Sequence, residues 1–363
     1  MSASTVPPRS PALSAALRTR FAVRQAARIG WYTAQNLAGV RLARQVAETL
    51  PKVDAPVIEA PAGIPERPKL LRHVRKLMQA DLANVEAGFY PMPDDEDGGL
   101  PGMVARRRRY LADVPKVMRR RALKIHQEPN DTGVRRPRYY RQNFHFQTDG
   151  WLSDDSAALY DTQVETLFFG AAAAMRRQAL VPIAEMVRDR DQRSLKLLDV
   201  ASGAGAFLRD VRRAFPRLPV IASDLSEPYT RRARTNLANL PGSGATVAAG
   251  EALPFADQSL DIVSNIYLFH ELPPAVRGKV AAEMARVLAP GGKVIVVDSL
   301  QIGDTPALDG LLELFPQMFH EPYYQSYQKT DIAALFVEAG LNVESIWPAF
   351  VSKVFVFSRG CGR

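Results

Sequence analysis

The sequence carries one cysteine in 363 residues, Cys361, close to its C-terminal end. A lone cysteine excludes an internal disulfide and a multi-cysteine metal site, so no metal is expected and the chain fits a reducing compartment. No run of 18 or more apolar residues occurs, so no spanning helix is expected. The apolar block of a secretory signal is also missing from the N-terminus. Acid is absent from Met1 to Ala47, where Arg9, Arg18, Arg20, Arg24, Arg28, Arg41 and Arg44 are all basic. Three readings of that arm stay open: an organelle transit peptide, a basic helix on a membrane surface, and a solvated helical arm. The expected location is cytoplasmic, with a position peripheral to a membrane left open by the same arm.

What is present is unevenly placed. Residues 1–150 hold 26 Lys+Arg against 14 Asp+Glu, a net of +12, and the remainder holds 21 against 24, a net of −3. The basic excess therefore lies N-terminal, where a polyanionic partner would meet the chain. Three zones are expected. Residues 1–68 form a basic arm with helical composition over 12–49, then a linker carrying five prolines from Pro51 to Pro68. Residues 69–154 form a helical extension. It holds an amphipathic stretch around Leu70–Val85, a basic helix spanning RRRR at 106–109 and RRR at 119–121, and the aromatic segment YYRQNFHFQTDGW. Residues 155–363 form the third zone.

In that last zone short apolar runs at 195–200, 218–223, 245–249, 260–266, 292–299, 342–347 and 352–358 read as seven strands. Helices are expected between the first five, giving a parallel sheet covered on both faces. Only a few residues join the last two, so those strands form an antiparallel hairpin. An open sheet of this kind binds ligands at the carboxyl ends of its strands. The segment LLDVASGAGAFL at 197–208 fits that place: Asp199 ends the first strand, Gly203 and Gly205 permit tight turning, and a helix N-terminus follows. Asp224 ends the second strand, 25 residues after Asp199, where an acid can accept hydrogen bonds from ribose hydroxyls. GEALPF, SLDIVSNIYLFHELP and APGGKVIVVD follow in order.

These four motifs, over about residues 155–358, resemble the class I S-adenosylmethionine-dependent methyltransferases, particularly the type 11 small-molecule branch that includes ubiquinone and menaquinone methyltransferases. The resemblance implies an α/β, Rossmann-like, doubly wound seven-stranded sheet, mostly parallel with a C-terminal antiparallel strand, behind an N-terminal helical extension. It implies S-adenosyl-L-methionine as cofactor. The loop Ala201, Ser202, Gly203 and Gly205, beside Asp199, would hold the methionine portion, and Asp224 the ribose. Leu225 would pack on the adenine, with Gly250, Glu251 and Ala252 along its edge, and Asn265 would sit near the methionine amino group. Two positions depart from the family pattern. Ala201 replaces the first glycine of D-x-G-x-G-x-G. Ala249 replaces an aspartate that meets the adenine amino group, so either Glu251 takes over that role or the amino group goes without a carboxylate. A nicotinamide-binding domain is the competing reading of the glycine loop alone, but GAGAF lacks the third glycine of G-x-G-x-x-G. An inactive methyltransferase-like domain is another.

Methyl transfer from a sulfonium needs position and desolvation, and a base only when the acceptor must lose a proton. His270 is the expected base, with Glu271 as its orienting partner; a structural role for His270 in the loop is the alternative. Two segments are expected to form the acceptor pocket, placing Trp151, Tyr160, Tyr323, Tyr324 and Tyr327 near the substrate. Amino methylation of DNA adenine is disfavoured by the absence of an N/D-P-P-Y/F tetrapeptide, and thiolate-dependent cytosine or arsenite methylation is excluded. The expected substrate is a small, partly apolar acceptor (a lipid, quinol, phenol or thiol, methylated on oxygen, carbon or sulfur), with a membrane-surface contact through the arm. Nucleic acid is the less favoured partner, in an RNA or protein methyltransferase using the basic region for a polyanion. Oligomeric state is not legible.

Overall fold

A computed structural model describes residues 11–50, 61, 63–94, 99–126 and 136–361. Most of the proline-rich linker and the first ten residues of the basic arm lie outside the described residues. The helical extension begins with α1 (Pro11–Thr49), α2 (Arg67–Glu86) and α3 (Gly99–Ala122). Two single-turn 3₁₀ segments, Arg138–Arg141 and Phe144–Phe146, lead into α4 (Asp154–Leu167), α5 (Ala172–Arg177) and α6 (Leu180–Val187). The arm is not a solvated rod. Phe21, Gln25, Tyr32 and Gln35 on one face of α1 are buried. Gln35 donates to Thr166 Oγ1 at 2.6 Å, and Asn36 to the Thr166 carbonyl at 3.2 Å, tying α1 to α4. Arg28 pairs with buried Glu165 at 2.8 Å. α2 inserts Val74, Leu77 and Val85 into the main core and buries Asp81, which Arg177 of α5 grips at 3.0 and 2.7 Å.

The catalytic domain alternates β1 (Leu197–Val200), α7 (Ala206–Ala214), β2 (Val220–Asp224), α8 (Glu227–Leu237), β3 (Ser243–Val247), β4 (Leu260–Ile266), α9 (Pro274–Val287) and β5 (Leu288–Ser299). It ends with α10 (Asp309–Met318), α11 (Tyr324–Tyr327), α12 (Ile332–Glu338), β6 (Asn342–Ala349) and β7 (Ser352–Ser358). The seven strands lie in the order β3-β2-β1-β4-β5-β7-β6. β7 runs antiparallel between β5 and β6, and the pairings among β1 to β5 are parallel. Strands β1, β4, β5 and β7 are buried on both faces, as their near-continuous apolar sequences require. The expected helix between the third and fourth strands does not form. Residues 248–259 make turns instead, because Gly250, Pro254 and the absence of an apolar helical stripe leave nothing to nucleate or bury one. That extended path carries Gly250 and Glu251 to the ends of β1 and β2. The order reverses between β1 and β4, which opens a crevice at their carboxyl ends.

Candidate active site

The crevice is a cleft walled by Asp199, Ala201, Ser202, Gly203, Asp224, Leu225, Gly250, Glu251 and Glu271, so most of the residues expected at the cofactor converge. Its loop is held by its own acids. Asp224 accepts from the Gly203 amide at 2.9 Å and from the Ser226 amide at 2.8 Å, one bond on each carboxylate oxygen. Each oxygen keeps a lone pair for a ligand hydroxyl. Burial pushes the Asp224 carboxyl up to about 6, against the pull of those two amides. Asp199 accepts from Ser264 Oγ at 2.7 Å, and burial, opposed by that bond, pushes it up to about 7. Ser202 Oγ on the cleft wall is buried without a hydrogen-bond partner, as is Asn265 Oδ1. Ala201 takes a φ of +55°, the left-handed conformation that a glycine adopts freely. The alanine thus keeps the shape of the loop and carries strain that the usual glycine would not.

Other expected residues fall elsewhere. Gly205, in left-handed conformation at the start of α7, is buried behind the loop. Ala252 is exposed beside the cleft and Ala249 is not on its wall. Asn265 is wholly buried between strands, donating to the Val200 carbonyl at 2.6 Å, and does not line the cleft. Glu251 lines it, but its carboxylate accepts from Tyr139 Oη at 2.6 Å.

His270 keeps Glu271 within ion-pair distance, but its shorter partner is another carboxylate. His270 Nδ1 lies 2.6 Å from Asp298 at the end of β5, and its Nε2 is 3.9 Å from Glu271. Asp298 also accepts from the backbone amides of Phe269 and Ser299, each at 2.7 Å, which fixes it under the imidazole. Burial alone would lower the His270 pKa; the Asp298 carboxylate outweighs it and raises it to about 9. The carboxylate thus favours the protonated imidazole, which weighs against His270 as the proton acceptor. Glu271 faces the cleft, and burial raises its carboxyl well above the usual range. The two consecutive residues line different spaces, Glu271 the cleft and His270 the space beyond Tyr267, on one turn of a 3₁₀ segment, Phe269–Glu271. Buried Arg277 locks this turn, donating to the Phe269 carbonyl at 2.9 Å and to Thr330, Tyr323 and Ser326 beyond it.

Beyond Tyr160, Val164 and Tyr267 the cleft adjoins an apolar cavity of about 380 Å³, to which those three side chains are common. Leu311, Phe315, Met318 and Phe319 line it from the α10 side, with Tyr324, His270 and His145. A second cavity, between α1, α3 and α4, shares Asn36, Val40, His145 and Tyr160 with the first. Of the aromatics expected at the acceptor, Trp151 and Tyr160 reach the cleft and Tyr324 reaches the cavity. Tyr327 is a core residue donating to the Ser299 carbonyl, and Tyr323 lies against Phe144 away from both spaces.

The extension contributes residues that sequence reasoning did not single out: Tyr139, Tyr140 and Phe144 on the cleft, and His145 between the cavities. His145 and Phe146 both have left-handed φ angles, +58° and +54°. Nδ1 of His145 is 3.0 Å from Glu321, and its Nε2 is 3.9 Å from Glu271. Burial and the positive His270 lower the His145 pKa to about 3, and burial raises the Glu321 carboxyl. The density of aromatics in YYRQNFHF was the only signal for these residues. Asp298 had one as well, as an acid at the end of a parallel strand.

The comparisons agree with this geometry. A methyltransferase-domain family model matches residues 197–292. The demethylmenaquinone methyltransferase of Beutenbergia cavernae is 31% identical over 54% of this chain and 75% of its own length. A ubiquinone/menaquinone biosynthesis C-methyltransferase of Desulfotalea psychrophila is 28% identical over 46% of this chain and 63% of its own length. A malonyl-[acyl-carrier protein] O-methyltransferase of Methylococcus capsulatus is 31% identical over 35% of this chain and 48% of its own length. The last two matches thus span between about half and two thirds of those relatives. With its loop, strand-end acids and reversed β7 in these places, the chain belongs to the class I S-adenosylmethionine-dependent methyltransferases, in the branch of the ubiquinone and menaquinone enzymes.

Proposed function

We propose that the protein transfers a methyl group from S-adenosyl-L-methionine to a small, partly apolar acceptor such as a quinol or phenol. The observation that carries this reading is the junction at Tyr160, Val164 and Tyr267, where a cleft rich in carboxylates adjoins a cavity lined by hydrocarbon and rings. The relatives' names carry quinone and acyl-carrier acceptors, which agrees with an apolar acceptor space.

The cleft residues fit the cofactor. Asp224 has free lone pairs for ribose hydroxyls, Leu225 offers an apolar face for adenine, and partnerless Ser202 Oγ sits where a polar amino-acid portion would need it. Once bound, the cofactor supplies a sulfonium methyl, and its transfer is an in-line displacement. The protein's part is position and the proton. Tyr160 and Tyr267 bound the junction and exclude water from it. Glu271 faces the cleft with a raised carboxyl pKa, so it takes the proton from an acceptor hydroxyl. His270 lines the acceptor space as a fixed positive group held by Asp298, suited to an acceptor oxygen that becomes anionic.

Calorimetric titration of the Asp224→Ala protein is the direct test. S-adenosylmethionine affinity should fall about 10- to 100-fold, the cost of about 1.5–3 kcal/mol for hydrogen bonds to a charged group. Unchanged affinity would refute the ribose placement. Release of S-adenosylhomocysteine with reduced demethylmenaquinone, simple phenols, thiols and total RNA sorts the acceptor classes. With an acceptor found, Glu271→Gln should lower kcat about 10²- to 10⁴-fold and leave cofactor affinity intact.

A further inference from the structure

The outward face of α1 has no partner among the described residues, although its inner face is docked. Val23, Ala27, Gly30, Ala34 and Leu37 recur every three or four residues on that face, and all are exposed. Val23 is 65% exposed, Leu37 45% and Val40 42%. Every exposed residue of α1 from Ala22 to Val40 is uncharged, and exposed arginines flank the stretch: Arg18 and Arg20 before it, Arg41 and Arg44 after it. Arg18 reaches back to Glu86 at 2.6 Å, while the others stand on a helix with no acid before Glu48.

Val40 joins this face to the interior. It is exposed on α1, and it also lines both apolar cavities. One wall residue of the proposed acceptor space is therefore also part of the surface, one helical turn from Leu37.

We propose that α1 lies flat on an anionic lipid surface, with Val23 and Leu37 sunk among the headgroups and Arg20, Arg41 and Arg44 on lipid phosphates. The stretch between Arg20 and Arg41, whose exposed residues are uncharged, is about 30 Å long at 1.5 Å per residue. Among the described residues no helix is long and apolar enough to cross a bilayer, so the contact is interfacial. Charge selects this occupant over a second copy of the chain. Two such faces laid together would set arginines against arginines, with no acid before Glu48 to answer them. The face is also poor for RNA. Phe21 and Tyr32 point inward and Trp31 lies under Arg107, so α1 offers no free ring for base stacking. The basic run at 106–109 is broken as well, since Arg106 lines an internal cleft and Arg107 covers Trp31. Lipid docking stands independently of the proposed methyl transfer; acceptor entry past Val40 rests on that reading.

Sedimentation of the full chain with vesicles tests the proposal. Wild type should pellet with vesicles of phosphatidylcholine mixed with phosphatidylglycerol, less with phosphatidylcholine alone, and less at high salt. The double variant Val23→Glu/Leu37→Glu should bind the mixed vesicles at least about tenfold more weakly. Both positions are exposed and away from the cleft, so thermal unfolding and S-adenosylmethionine titration should match wild type and show that the variant is folded. Absence of wild-type binding to the mixed vesicles overturns the proposal, as does equal binding by the double variant. A dimer in light scattering that the same substitutions dissolve, without vesicle binding, reassigns the face to a second copy. Retention of total RNA that the substitutions abolish, without vesicle binding, reassigns it to nucleic acid. Failure of cofactor titration in both proteins counts against the methyl-transfer reading and leaves the vesicle result standing.

Discussion

The helical extension and the sheet domain are held together by different physics. In the sheet the central strands are dry: Leu197, Leu198, Ile262, Val263, Val294, Val296 and Phe357 are completely buried against one another and against the helices. The extension also lends Phe21, Val74, Leu77 and Val85 to the core, but adds to them charges and amides taken out of water. Asp81 lies under Arg177 and Tyr90, Glu165 between Arg28 and Arg176, and Gln35 on Thr166. An apolar contact tolerates small changes of register, whereas a buried ion pair is satisfied in one arrangement and costly in all others. The extension is thereby fixed in one pose over the cleft, where Tyr139 can reach Glu251 and His145 can stand between the cavities.

The largest effect should come from breaking one of those pairs. Asp81→Ala leaves Arg177 buried without its carboxylate and should cost about 3–5 kcal/mol in urea unfolding, while Val296→Ala in the sheet should cost about 2. If Asp81→Ala proves the milder of the two, the contrast between the regions collapses. Adding Arg177→Met to Asp81→Leu should recover most of the loss, since an apolar replacement of both partners strands no charge.

The sheet domain has its own buried charge pair, and pH isolates it. His270 is raised in the fold from 6.5 to about 9. Below pH 6.5 the imidazole is protonated whether folded or not, and the pair contributes fully. Between pH 6.5 and 9 the unfolded chain loses the proton first and the contribution drains away, up to about 3 kcal/mol. Arginine stays charged across that window, so Arg177 contributes no such slope. Thermal unfolding of His270→Gln against wild type from pH 6 to 10 reads the difference. Parallel curves would mean that Asp298 does not hold a proton on His270.

The smallest effect concerns the cofactor loop. Ala201→Gly should raise stability by about 1 kcal/mol by relieving a left-handed alanine, seen as a higher midpoint in thermal unfolding. A drop in the midpoint would place the strain elsewhere in the loop.

The central strands were legible because strands buried on both faces must be continuous apolar runs; β3 and β6, at the sheet's edges, are far less buried, yet all seven runs became strands. The cleft was legible because a fixed topology carries strand-end residues to one place, so Asp199, Asp224 and the glycine loop met as expected. The missing helix between β3 and β4 shows the limit. A rule of alternation was applied where the residues themselves, with Gly250 and Pro254, gave no helical pattern. The shorter partner of His270 was not legible, because adjacency in sequence points to Glu271 and says nothing of Asp298. One 3₁₀ turn sends Glu271 into the cleft and leaves His270 to Asp298, 28 residues away.

By itself the sequence determined the sheet, the position of the cofactor loop, the basic character of the first 150 residues and the helix at 12–49. Each follows from local pattern: period, glycine placement and charge count act within a few residues. Only the tertiary structure decided what the extension does. Whether a basic helix is free or docked depends on where Glu165 and Thr166 come to lie, more than 100 residues away. The same folding put Val40 on the surface and on the cavity wall at once, a coincidence that no stretch of sequence contains.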